Sequence, residues 1–240
     1  MRLLVHRLTL AAFAVALGGI VAQQAEAGVV YDLVDGDNNL EFQVGDKIFS
    51  DFSCQVQTNS GGASPINCAD LTVSTLDDDP FGISFGGAFS ALAILGLQAV
   101  SSEDVLIKYA VRIADGAPFL ISDVHMVSNP ISIGLAIAQV VETVFSDPIR
   151  LNPIANLVVQ NPPPILSASA VFSSPLNQVF ITKDILLVAT ALAAAPAASA
   201  TISFIDQRFT QTPVPEPATL GLIGTGLIGL GAMLRRRRVS

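Results

Sequence analysis

What most restricts the fold of this 240-residue chain is a near-continuous succession of short β-forming segments, each closed by turn residues. VVYDLV, LEFQVGDKIFSDFSCQV, DVLIKYAVRIA, PFLISDVHMV, ISIGLAIAQVVETVF, SASAVFS, NQVFITKDILLVATAL and ATISFIDQRF are rich in β-branched and aromatic residues and partly alternate apolar with polar. Between them DGDNN, NSGGASP, DDDPFG, ADGAP, SNP, SDP, NPPP and SSPLN supply the Asp, Asn, Gly and Pro of tight turns. This spacing predicts an all-β body, an antiparallel β-sandwich or jelly roll, in preference to any α/β arrangement. In KYAVRIA, Tyr109, Val111 and Ile113 point to one side, as a half-buried strand requires. VATALAAAPAASA has helical composition, but Pro196 interrupts it, and it reads as two small-residue strands joined through AAPAA. Twelve of the chain's thirteen phenylalanines, with its two tyrosines, lie beyond residue 27 and can fill such a core without tryptophan.

The two ends read differently from the middle. Residues 1–27 place Arg2 and Arg7 ahead of an apolar run, Leu8 to Ala22, and end in the small-x-small triplet Ala25-Glu26-Ala27. That layout predicts a signal helix that engages the Sec export machinery and is cut by signal peptidase after Ala27; an uncleaved amphipathic or membrane helix is the alternative. The expected exported domain, residues 28–212, carries six basic and eighteen acidic residues, a difference of minus twelve. Nucleic acid and anionic lipid head groups are therefore not expected partners.

Cys54 and Cys68 are the chain's two cysteines, and export to an oxidising compartment predicts that they pair. The loop they close contains Gly61-Gly62 and Pro65, which suits a hairpin and predicts a staple between neighbouring strands. Free thiols or half of a metal site are the other possibilities.

Catalytic vocabulary is sparse. His125, in ISDVHMV, is the single histidine beyond the signal segment. In an extended strand Asp123 and His125 share a face while Ser122 points away, so no Ser-His-Asp triad is expected, nor is there a G-x-S-x-G turn. Eighteen acids permit carboxylate-pair glycoside hydrolysis, yet nothing sets two of them across a cleft, so the expectation is no enzyme. A calcium site has weak support: Asp35, Asp37 and Asn39 have the alternating spacing of a calcium loop with Glu41 beyond. Leu40 stands where an EF-hand needs glycine and Asp46 where it needs glutamate, and the expectation is no cofactor. Asp77-Asp78-Asp79 and Glu103-Asp104 are further cation candidates, with solvated turn carboxylates as the plainer reading. A sugar platform needs exposed aromatic faces, which this composition offers sparingly.

In the last segment, residues 213–240, the apolar run Ala218 to Leu234 would span about 25 Å as a transmembrane helix. Arg235, Arg236, Arg237 and Arg238 follow and place that end in the cytoplasm, leaving the body outside. Ala218, Gly221, Thr225, Gly229 and Ala232 form one small-residue stripe, suited to close approach by another helix. Pro213, Pro215 and Pro217 hold the preceding chain extended and present Glu216 to water at the outer face of the membrane. The triplet Pro215-Glu216-Pro217, the short span and the arginine stop together closely resemble the PEP-CTERM sorting signal of Gram-negative bacteria, recognised by exosortase. VGDKIFSDFSC, SSEDVLIKYAV and ITKDILLVATA…ATISFIDQRFTQ are similar, more loosely, to segments of PEP-CTERM surface proteins. The resemblance implies export, transient anchoring in the inner membrane with the body periplasmic, and processing near Glu216. It further implies delivery to the cell surface or extracellular matrix, where such proteins accompany exopolysaccharide and biofilm. A calcium- or polysaccharide-binding module is the alternative function, and a matrix glycan hydrolase a more distant one.

Overall fold

A computed structural model of the chain describes residues 30–32, 40–60, 67–214, 223, 225 and 227. The expected signal segment with Ala25 and Ala27 lies outside these residues, as does most of the expected span. Ile223, Thr225 and Leu227 are helical, and no described helix is long and apolar enough to cross a membrane.

Alternation of apolar and polar side chains sorts the described residues into strands β1 (Val30–Asp32), β2 (Phe42–Val44), β3 (Lys47–Ser60), β4 (Thr72–Leu76), β5 (Gly82–Ile94), β6 (Val100–Ile113), β7 (Phe119–Ser128), β8 (Ile131–Ile133), β9 (Leu135–Phe145), β10 (Pro153–Asn161), β11 (Ser167–Leu176), β12 (Gln178–Thr190) and β13 (Ala197–Pro213). They form two antiparallel sheets. The first is ordered β1-β4-β5-β13-β7-β11, with β8 also on β13, and the second β10-β9-β12-β6-β3-β2. The expected antiparallel sandwich is what forms, and its core is the layer where the two inner faces meet.

The core follows the period-two pattern. On β6, Val105, Ile107, Tyr109, Val111 and Ile113 are buried, and on β12 Ile181, Ile185 and Leu187 are. Tyr109 joins the layers: it stacks on Phe52 of its own sheet at 5.5 Å and meets Phe85 of the opposite sheet at 5.4 Å. Ring-to-ring packing of this kind replaces the tryptophan the chain lacks, each buried aromatic contributing about 2–3 kcal/mol.

AAPAA joins β12 to β13 as expected, closed by a bridge between Leu192 and Ala195. ISIGLAIAQVVETVF is two strands, not one. Gly134 separates β8 from β9 at φ +70°, and a Cβ there would sit 2.7 Å from the Ala197 carbonyl oxygen.

The disulfide forms, with Cα atoms 5.8 Å apart, but it does not join neighbouring strands. Cys54 lies on β3 of the second sheet, whereas Cys68 opens a 3-10 turn, Cys68–Asp70, that leads into β4 of the first. The expected hairpin staple is therefore corrected to a tie between the sheets. The reason is that β3 already pairs with β2 and β6, so the chain leaving it has to cross the sandwich.

Candidate functional site

The route from the body to the C-terminal segment is β13. This strand is paired along both edges, with β5 on one side and β7 and β8 on the other. Pairing continues to its last residue, where Pro213 stands opposite Phe119, and the Val214 amide donates to the Pro118 carbonyl at 2.8 Å. In the sequence only Val214 separates that strand from Pro215-Glu216-Pro217. Pro215, Glu216, Pro217 and Arg235 to Arg238 themselves lie outside the described residues. At the opposite end of β13 the rim is apolar, with Leu95, Leu97, Ile133, Leu135 and Leu192 exposed.

On β7, His125 Nε2 and Asp123 Oδ1 are 2.8 Å apart, sharing the outer face as expected. Ser122 departs from expectation. A register shift against β13 makes it the extra residue of a bulge, and its hydroxyl donates to Asp123 Oδ2 at 3.3 Å instead of pointing away. Ser122 Oγ also meets Thr210 Oγ1, at 3.3 Å. The hydroxyl thus faces the carboxylate and not the imidazole, the wrong order for activating a serine.

Among the described residues the acidic candidates do not converge. Asp35, Asp37 and Asn39 lie outside the described residues, and among the described residues no three His, Cys, Asp or Glu side chains could hold one ion. Asp78 bonds Arg208, whose guanidinium reaches Asp78 Oδ1 at 3.0 Å and the Pro80 carbonyl at 2.8 Å. That partner holds the Asp78 carboxyl below its usual range. Glu103 and Asp104, adjacent on a strand, point to opposite faces: Asp104 lies near Asp184 on the outer face, where burial and then the neighbouring Asp104 push the Asp184 carboxyl up, while Glu103 is buried.

Glu103 is therefore a core carboxyl where a solvated one was expected. Burial raises it to about 7, and the Ser90 amide donating at 3.3 Å offsets this in part. A carboxyl raised on folding keeps its proton in the folded state after the unfolded chain has lost it. Its contribution is then complete below the ordinary value of 4.5 and lost as pH rises through about 7. Chemical denaturation is expected to show stability falling over that window by about 1–2 kcal/mol after allowance for solvent screening. Glu103→Gln should remove this part of the slope, and a variant with the wild-type profile would refute the assignment.

The least expected polar group lies between the sheets. Glu142 on β9 and Lys183 on β12 stand directly opposite each other on the inner face, both 0% exposed, and form an ion pair. Gln207 of β13 reaches them from the facing sheet: Lys183 Nζ donates to Gln207 Oε1 at 2.8 Å, and Gln207 Nε2 donates to the His125 carbonyl at 2.9 Å. Met126 Sδ, 3.4 Å from Nζ, and the Phe85 ring, 5.9 Å away, complete the surroundings. Burial pushes Glu142 up and Lys183 down, each opposed by the other's charge. Sequence reasoning missed this cluster, although its signal was present. AQVVETVF and VFITKDILL each place a charge between apolar residues of one strand face. A second buried lysine, Lys47, donates to Asp46 Oδ1 at 3.0 Å and to Gln211, also on β13.

Residues 213–238 match the PEP-CTERM protein-sorting motif, in agreement with the reading of Val214 to Arg238. The motif implies export, a membrane-anchored sorting signal and processing by exosortase. No curated protein matches the chain. A solved structure, that of TmCBM61 in complex with beta-1,4-galactotriose, is similar over 66% of this chain and 88% of that one, at 8% identity and a TM-score of 0.31. Overlap that slight carries no inference about ligand.

Proposed function

We propose that the chain is a non-enzymatic protein of the cell surface or extracellular matrix, handed over by exosortase and associated there with exopolysaccharide. The sorting motif at 213–238 carries this reading. It is supported by the Ser122 hydroxyl facing Asp123 and by the directness of the junction, since a strand paired up to Pro213 delivers a folded body together with its processing signal. Cells expressing the full chain are expected to release it at reduced mass, and Glu216→Ala is expected to leave it membrane-bound at uncleaved mass. The same retention is expected in cells without exosortase. An unchanged mass and location in exosortase-free cells would refute the sorting.

A second reading, a polysaccharide-binding body, draws on the outer face of the second sheet. There Gln139 Nε2 donates to Gln160 Oε1 and Thr143 Oγ1 donates to Asn156 Oδ1, each at 2.8 Å. Amide and hydroxyl groups in register across β9 and β10 offer both donors and acceptors to sugar hydroxyls. Calorimetry of the processed chain with its own matrix polysaccharide tests it: heat that Gln139→Ala and Asn156→Ala diminish supports the reading, and no heat removes it.

A further inference from the structure

We propose that Lys183 and Gln207 become joined by an amide bond between their side chains, with Glu142 carrying the protons, so that the two sheets are covalently welded inside the core. Four observations place the reactants. Lys183 Nζ is 2.8 Å from Gln207 Oε1, so the carboxamide carbon lies within one further C=O bond, about 1.2 Å, of that contact. The carboxamide cannot be the other way round, because the His125 carbonyl only accepts and therefore takes the Nε2 donor. Glu142 bonds Nζ from the directly opposing position on β9. All three side chains are fully buried, between Met126 and Phe85, where water does not compete for the carbonyl.

The reaction needs no oxidant, reductant or co-reactant. Glu142 accepts a proton from the lysine ammonium, which leaves a neutral amine and a neutral acid. Burial favours that uncharged pair, pushing the carboxyl up and the amine down. The Nζ lone pair forms a bond to Cδ of Gln207 while the Glu142 acid hydrogen-bonds Oε1. Glu142 then relays the proton released from Nζ to Nε2, the Cδ–Nε2 bond breaks, and one ammonia leaves. The net change is amine plus primary amide to secondary amide plus ammonia.

The weld would close a loop from Lys183 to Gln207 and fasten β12 of one sheet to β13 of the other, the strand that continues into the sorting segment. A pull on the C-terminal segment would then load both sheets.

The test is mass analysis of the full chain purified from expressing cells, with trypsin mapping, since trypsin cuts after Lys183 only when its amine is free. The expected result is a single peptide 151–208, uncut at Lys183 and lighter by one ammonia, with Lys183→Met and Glu142→Gln restoring the full mass. Separate, unmodified peptides 151–183 and 184–208 from the wild-type chain would overturn the proposal, whatever the variants do. Loss of water with Lys183 joined to Glu142 would overturn it as well. A Glu142→Gln chain that still loses ammonia would overturn the role given to Glu142.

Discussion

Glu142→Leu is expected to be less stable than the double variant Glu142→Leu/Lys183→Met by about 3–5 kcal/mol, measured by urea denaturation of the purified chains at one pH. The single variant strands Lys183 in a site with no exposure, where the amine either keeps an uncompensated charge or gives up its proton. The double variant replaces both charged groups with apolar side chains of similar volume, a change that buried pairs tolerate well. Neither variant can form the amide, since one lacks the proton carrier and the other also lacks the nucleophile, so their difference reports the stranded Lys183 charge, less the hydrogen bond that Gln207 Oε1 loses in the double variant. Wild type should exceed both. Equal stability of single and double variants would mean that Lys183 reaches water in the single variant, contrary to its position between Glu142, Gln207 and Met126.

The same residues show how far the fold was legible from the chain. β6, β7, β12 and much of β13 could be read because Val, Ile, Phe and Tyr recur at every second position and turn residues bound each run. β5 was not, because GISFGGAFSALAI is rich in glycine and alanine, whose strand propensity is low; its place is set by tertiary pairing with β4 and β13. β10 begins at a proline that follows turn-like SDPIRLN, which hid the strand behind a loop signal. Cysteine pairing was legible from count and compartment, yet its span across the sandwich was not, since a short loop rich in Gly and Pro looks the same whether it closes a hairpin or changes sheets.

The site divides along the same line. The sorting segment is written contiguously, so it could be recognised from residues alone. Glu142, Lys183 and Gln207 are brought together from three strands of two sheets, and no local spacing announces that meeting. The trace each leaves is a charged or amide residue at an inward position: Glu142 between Val140 and Val144, Lys183 between Ile181 and Ile185, Gln207 between Ile205 and Phe209. Three such interruptions facing one layer are costly one by one and compatible with folding only as a mutually bonded set. β13 then has two attachments of different kinds, hydrogen-bonded neighbours along its length and the polar cluster through the core, before it passes into the processing signal.

Reduction of Cys54–Cys68 is expected to lower stability by about 3 kcal/mol, because the bond closes a loop of fifteen residues in the unfolded chain. The comparison that isolates this effect is oxidised against reduced wild type, since reduction keeps both sulfur atoms in place. Cys54→Ala/Cys68→Ala should lose about 1 kcal/mol more than the reduced chain, as both sulfurs are buried in the core and their removal leaves space behind. Position makes the loop effect matter. β1 and β4 occupy one edge of the first sheet and β2 and β3 one edge of the second, and the bond fastens β3 to the turn preceding β4. The two edges are thus held together where the chain crosses between the layers, far along the sequence from the Lys183–Gln207 contact. Hydrogen exchange should accordingly show β3 and β4 losing protection on reduction before β12 and β13 do. A uniform loss across all four strands would mean that the edge and the centre of the sandwich open as one unit.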